Sequence, residues 1–201
     1  TTVPQRLSDT PAFTNYPGEA GRVHYGEGVF VGYRWYEARD IEVAYPFGHG
    51  LGYTTFAWEA AHLSDVPSAA ALAAGATVTV TVAVANTGDR PGSEVVQCYV
   101  AHLDPVVARP PQELRGFAKV HLEPGETAEV EIELDHRAFA YWDPADPGYA
   151  DRNHRVPVAA GGGHVGHRQV PGWYADPGDY EVRLGASSAD IRAVMALTLE
   201  G

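Results

Sequence analysis

From Phe56 onward the chain alternates between apolar and polar positions. "TVTVTVAV" sets Val78, Val80, Val82 and Val84 on one face and Thr77, Thr79 and Thr81 on the other. "EVEIEL" does the same with Val130, Ile132 and Leu134 against Glu129, Glu131 and Glu133, and "DYEVRL" with Tyr180, Val182 and Leu184. Side chains of an extended backbone point to opposite faces in turn, so a period of two means strands with one buried and one wet face. Antiparallel sheets give this pattern; parallel sheets, covered on both faces, rarely do. "NTGDRPG" at 86–92, "LEPGET" at 122–127 and "ADPGDY" at 175–180 carry the Gly, Pro, Asn and Asp that turns require.

These signals predict about seven strands, at 56–64, 76–86, 93–103, 112–121, 127–135, 179–186 and 190–199. Seven short alternating strands predict an all-β, fibronectin type III-like (immunoglobulin-like) antiparallel sandwich over 56–201. A jelly roll would need an eighth strand. The stretch "PSAAALAAGA", 67–76, has weak periodicity and is expected to be an exposed loop rather than a helical turn. Residues 1–55 are aromatic, glycine-rich and without period, and read as a separate irregular segment. About forty residues, 136–178, interrupt the strand rhythm. Connections this long are uncommon. The "AAGGGHVGH" centre is expected to be mobile, and the ends, with Tyr141, Trp142, Trp173 and Tyr174, to be anchored on the sandwich.

Composition narrows the partners. The net charge of −12 argues against a nucleic-acid backbone as partner. No apolar run reaches the roughly 18 residues of a membrane helix. The N-terminus lacks the basic and apolar regions of a signal peptide and starts without methionine, as a fragment or processed chain would. A single cysteine, Cys98, excludes an internal disulfide; within "EVVQCYVAH" it reads as a small buried hydrophobe, not a catalytic thiol.

Candidate chemistry is sparse. His154, His164 and His167 share the long loop with Asp143, Asp146 and Asp151. No element aligns them and no cysteine joins them, so no metal site is expected. G-x-S-x-G, P-loop and dinucleotide fingerprints are absent. Of the acids in the first segment, Glu37, Asp40 and Glu42 lie in "YEARDIE", which reads as a solvated turn, and Glu27 reads as a structural acid. The densest motif is "YPFGHGLGYTTF", 45–56. Pro46 and three glycines impose tight turns. Tyr45, Phe47, Tyr53 and Phe56 offer large area to bury between two surfaces. The motif reads as a rigid aromatic wedge at a domain seam, with His49 hydrogen-bonding backbone across it.

"GEGVFVGYRWYEARDIEVAYPFGHGLGYTTFAW", 26–58, resembles the segment of glycoside hydrolase family 3 enzymes that joins their α/β sandwich domain to a C-terminal fibronectin type III-like domain. Gly52 stands where the family wording F-P-F-G-H-G-L-S-Y-T-T-F has serine. "VANTGDRPGSEVVQCYV", "RPPQELRGFAKVHLEPGETAEVEIEL" and "DPGDYEVRLGASSADIR" resemble successive parts of that domain, so the likeness spans nearly the whole chain. "PQRLSDTPAFTNYPGEAGRVHYGEG", 4–28, is similar to β-glucosidases that carry an inserted PA14 domain.

The resemblance implies the C-terminal part of a retaining β-glucosidase acting on terminal β-D-glucosidic bonds. Residues 1–55 would complete the upstream α/β domain and link it to 56–201. The family's aspartate nucleophile and glutamate acid/base lie upstream, so no catalytic residue, cofactor or metal is expected here. The expected partners are the upstream catalytic domains and, through them, the β-glucoside; the alternative is a carbohydrate- or partner-binding module. Tyr45, Phe47, His49, Tyr53 and Phe56 are the expected interdomain residues. Tyr141, Trp142 and Trp173 are the candidates for sugar or substrate-entrance contact. The loop 136–178 is longer than the family's usual connection.

Overall fold

The computed structural model describes residues 1–144 and 170–201. Two antiparallel sheets face each other. Their strands are β5 (Val78–Asn86), β6 (Gly92–His102), β7 (Glu113–Leu122), β8 (Thr127–Leu134), β11 (Gly178–Gly185) and β12 (Ile191–Leu199), with short strands β3 (Phe56–Trp58) and β4 (His62–Leu63). One sheet runs β12-β11-β6-β7; in the other, β5 pairs with β8 along one side and with β3 and β4 along the opposite side. Register follows the alternation. Val80 sits opposite Ile132 and Val82 opposite Val130, while Val182 sits opposite Val100. The inward residues of both sheets meet in one core, including Val78 to Val84, Val96, Cys98, Val100, Ile132, Leu134, Tyr180, Val182 and Leu184. Burial pushes the Cys98 thiol up to about 12, which makes it inert.

The structure corrects the expected elements in three places and adds others around the long connection. The single strand expected at 56–64 is two, β3 and β4, each hydrogen-bonded to its own part of β5. The expected exposed loop at 67–76 contains helix α2 (Ala69–Ala73). Ser68 caps it by accepting from the Ala71 N–H, alanine favours the helical backbone, and Leu72 is buried in the core. The first segment is not wholly irregular: it holds β1 (Val3–Pro4) paired with β2 (Val43–Tyr45), and helix α1 (Tyr33–Glu37). Around the long connection, α3 (His136–Phe139) is capped by Asp135, and β9 (Tyr141–Asp143) pairs with β10 (Gly172–Tyr174) as a ribbon. The centre of that connection, with His154, His164, His167, Asp146 and Asp151, lies outside the described residues. Among the described residues no helix is long and apolar enough to cross a membrane.

β6 is buried on both faces from Val96 to Ala101, a longer run than in the other strands. Val96, Cys98 and Val100 enter the core. Gln97 and Tyr99 point the other way and are covered by residues of the first segment. Beside this strand, β7 is bulged: Cys98 pairs with Gly116 but Tyr99 with Leu114, leaving Arg115 as the extra residue. Gly116 faces the opposite sheet, where a Cβ would meet Ile132 Cγ2 at 2.5 Å.

Candidate functional site

Two places bring the sequence candidates together, the seam over β6 and a cavity beside the bulge. At the seam, α1 presents Tyr33. Its ring stacks on Phe47, with centroids 5.1 Å apart. It meets Tyr99 edge-on at 5.9 Å. The Tyr33 hydroxyl accepts the Leu114 N–H at 2.7 Å, next to the bulge. Gln97 donates to the Ala186 carbonyl at 2.7 Å and the Gly48 carbonyl at 3.4 Å, and accepts the Tyr99 hydroxyl at 2.6 Å. Gly48, at φ +83°, lies so close to the Gln97 side chain that a Cβ would not fit. The Ser188 N–H donates to the Phe47 carbonyl at 2.8 Å. The motif "YPFGHG" is thus fixed to β6 and to the β11–β12 turn through its backbone as well as its rings.

Of the five residues expected at this seam, Phe47 and Phe56 are half-buried; Phe56 packs against the core. Tyr45 is 54% exposed and Tyr53 91% exposed. The His49 ring is exposed and lies 5.3 Å from Tyr45. It makes no hydrogen bond to backbone among the described residues; Gln97 bonds across the seam instead. Sequence reasoning also missed Tyr33, Gln97 and Glu37. Glu37 is not part of a solvated turn: both carboxylate oxygens are buried without a hydrogen bond of good geometry. Desolvation raises its pKa, against the opposing pull of Ser188, Gln112 and the Arg183 charge.

Beside the bulge, a cavity of about 750 Å³ opens between Val29 and Arg34 of the first segment, residues 106–110, and the β9–β10 ribbon. Glu113 lies in its wall within a cluster of guanidiniums. Arg109 donates to it through Nε at 3.2 Å and Nη2 at 2.7 Å, Arg115 through Nη2 at 2.8 Å, and Arg34 stands 3.7 Å away. Burial alone would raise the Glu113 carboxyl, but Arg115, Arg109 and Arg34 outweigh it and hold it below its ordinary range. The side chain of Arg109 is only 5% exposed and its Nη1 donates to the Phe139 carbonyl at 2.8 Å.

The aromatic candidates stand at the mouth of this cavity. Trp142 and Trp173 pair across the ribbon, edge to face at 5.6 Å, with Tyr141 beside them. They are 51% and 37% exposed, while Tyr141 and Tyr174, the other two expected anchors, are half-buried, and Ala138, Phe139 and Ala140 before them are fully buried. Arg137 lies over the Trp173 ring at 4.3 Å. Among the described residues no group of three His, Cys, Asp or Glu is arranged to hold a metal.

Comparison with known proteins agrees with this architecture. The model of the fibronectin type III-like domain matches residues 94–162. An exo-α-(1→6)-L-arabinopyranosidase of Bifidobacterium breve is 41% identical over 99% of the chain, and the thermostable β-glucosidase B of Acetivibrio thermocellus 38% identical over 94%. The chain spans 22% of the length of each. The crystal structure of the Bifidobacterium adolescentis family 3 β-glucosidase superposes on the whole chain with a TM-score of 0.81 at 41% identity. The chain covers 25% of it. The β-glucosidase 3B of Thermotoga neapolitana superposes with a TM-score of 0.78 at 33% identity. With both the sandwich and the segment clamped to its β6 face matched in these proteins, the chain belongs to glycoside hydrolase family 3, of which it carries the fibronectin type III-like domain.

Proposed function

We propose that this chain is the non-catalytic C-terminal part of a retaining β-glucosidase that hydrolyses terminal β-D-glucosidic bonds. Residues 1–55 complete an upstream α/β domain and lead into the sandwich formed by 56–201. Retaining hydrolysis needs a nucleophile and an acid/base about 5–5.5 Å apart across one bond. By family resemblance both lie upstream, so this part supplies structure. The observation that carries the reading is the clamp at the seam. Tyr33, Phe47 and Gln97 bind the first segment to β6, while Tyr16, Tyr25, Leu51 and Tyr53 remain exposed on it. Such a set of exposed rings and apolar side chains suits packing against an adjoining domain. Tyr45, His49 and Tyr53 belong to that outer surface in this reading, and Phe47 and Phe56 to the inner one.

The exposed Trp142–Trp173 pair favours a second role, contact with sugar at the substrate entrance or on a polysaccharide, because flat aromatic faces stack on pyranose rings. The test has two arms. The purified chain should not hydrolyse 4-nitrophenyl β-D-glucoside or 4-nitrophenyl α-L-arabinopyranoside, whereas the full-length protein should turn over the glucoside faster. Turnover by the chain itself, lost on mutating one of its acids, would overturn the structural role. Retention of the chain on insoluble glucan, lost in Trp142→Ala, would establish the binding role.

A further inference from the structure

We propose that the cavity beside the β7 bulge is a binding site for a small ring-bearing carboxylate. Its charge is the first reason. The protein carries a net −12, yet among the described residues this cavity is lined by three guanidiniums, Arg34, Arg109 and Arg115, against two carboxylates, Glu113 and Asp143. Arg137, stacked on Trp173 at the mouth, adds another positive charge. The two carboxylates leave one of these partly buried guanidinium charges in excess, and an anion entering the cavity would balance it.

The second reason is a surplus of donors. Arg109 and Arg115 both spend hydrogen bonds on the single Glu113 Oε2. Arg34 reaches Glu113 only at 3.7 Å, and Arg115 Nε is buried without an acceptor. Arg34, about a quarter exposed and held to Glu113 only by that longer ion pair, presents a planar fork that can take a carboxylate with two parallel bonds.

Shape is the third. The volume falls within the roughly 300–1,000 Å³ of small-ligand sites. Val29, Val106 and Pro110 give the lining apolar surface, and Trp142 and Trp173 line the same cavity as Arg34, offering flat faces to a ring held there through its carboxylate. A sugar acid and an aromatic acid share this chemistry. The inference stands on the cavity's own charge and walls and does not depend on which glycoside the parent protein cleaves.

Isothermal titration calorimetry of the 201-residue chain at low salt tests it. The probes are D-glucuronate and 4-hydroxycinnamate, with methyl β-D-glucoside and 4-hydroxycinnamide as their uncharged counterparts. The expected result is saturable binding of one acid, at least about tenfold tighter than its neutral counterpart, or about 1.4 kcal/mol. Arg34→Gln and Trp142→Ala should each weaken it about tenfold while leaving the far-ultraviolet circular dichroism unchanged. Which acid binds identifies the source. No heat with either acid up to about 10 mM, a free energy of only about −2.7 kcal/mol, overturns the proposal. Equal affinity for acid and neutral counterpart overturns it too, as does unchanged binding in folded Trp142→Ala together with Arg34→Gln.

Discussion

Replacing Glu113 by glutamine tests the cluster at the bulge most directly. The substitution keeps the shape and one accepting oxygen but removes the charge that balances Arg109, Arg115 and Arg34. Glu113 and Arg109 side chains are 11% and 5% exposed, so solvent screens the pair little. Breaking a buried pair by removing one partner costs about 3–5 kcal/mol. The amide oxygen still accepts from one guanidinium, so the expected loss is about 3 kcal/mol. For a chain of this length that lowers the melting temperature by about 6–12 °C.

The pH dependence carries a sign. The folded Glu113 carboxyl lies below its ordinary value of 4.5. Its contribution is therefore complete above that value and disappears as pH falls through the folded pKa. Urea unfolding of both proteins at pH 7 and down to about pH 3 should show a constant gap above about pH 5 that narrows progressively as pH falls below about 4.5. A gap under about 1 kcal/mol at pH 7, or one that does not change with pH, would refute the reasoning.

Three further substitutions probe the seam and the core by equilibrium urea unfolding. Tyr33→Phe removes the acceptor of the Leu114 N–H and should cost about 1–2 kcal/mol, with faster hydrogen exchange at that amide; an unchanged exchange rate would deny the capping role. Phe47→Ala removes a half-buried ring stacked on Tyr33 and should cost about 2 kcal/mol, below the roughly 3–5 of a fully buried phenylalanine. A loss under about 1 kcal/mol would show that the ring does not hold the seam. Gly116→Val forces side-chain carbons against Ile132 and Leu134 and should cost at least about 1–3 kcal/mol; a neutral effect would mean the two sheets can part there.

The sandwich strands and their turns were legible because an antiparallel sheet with one wet face writes its period into the chain. β5 and β8 show it residue by residue, Val against Thr and Val, Ile and Leu against Glu. The wedge was legible in outline from its glycines, Pro46 and rings. Which of its residues turn inward was not, because the aromatic content is the same on either face. Tyr53 is exposed and Phe47 half-buried through a register set only when Ser188 and Gln97 bond the 47–48 backbone. The Ala-rich turn α2 was missed because its single anchor, Leu72, gives no period.

The sequence by itself determined the all-β architecture, the places of the turns and the resemblance to glycoside hydrolase family 3, because those depend on local alternation and on contiguous motifs. It also held a sign of the seam in "VVQCYVA", a run apolar at every position but Gln97, without the alternation of a one-sided strand. Only the tertiary structure decided what covers that run, and that Glu37 is buried rather than solvated. It alone gathered Arg34, Arg109, Arg115 and Glu113 around one cavity with Trp142 and Trp173 at its mouth. Those residues come from four separate stretches of chain. Their charges and rings acquire meaning through distance and desolvation, which no local pattern encodes.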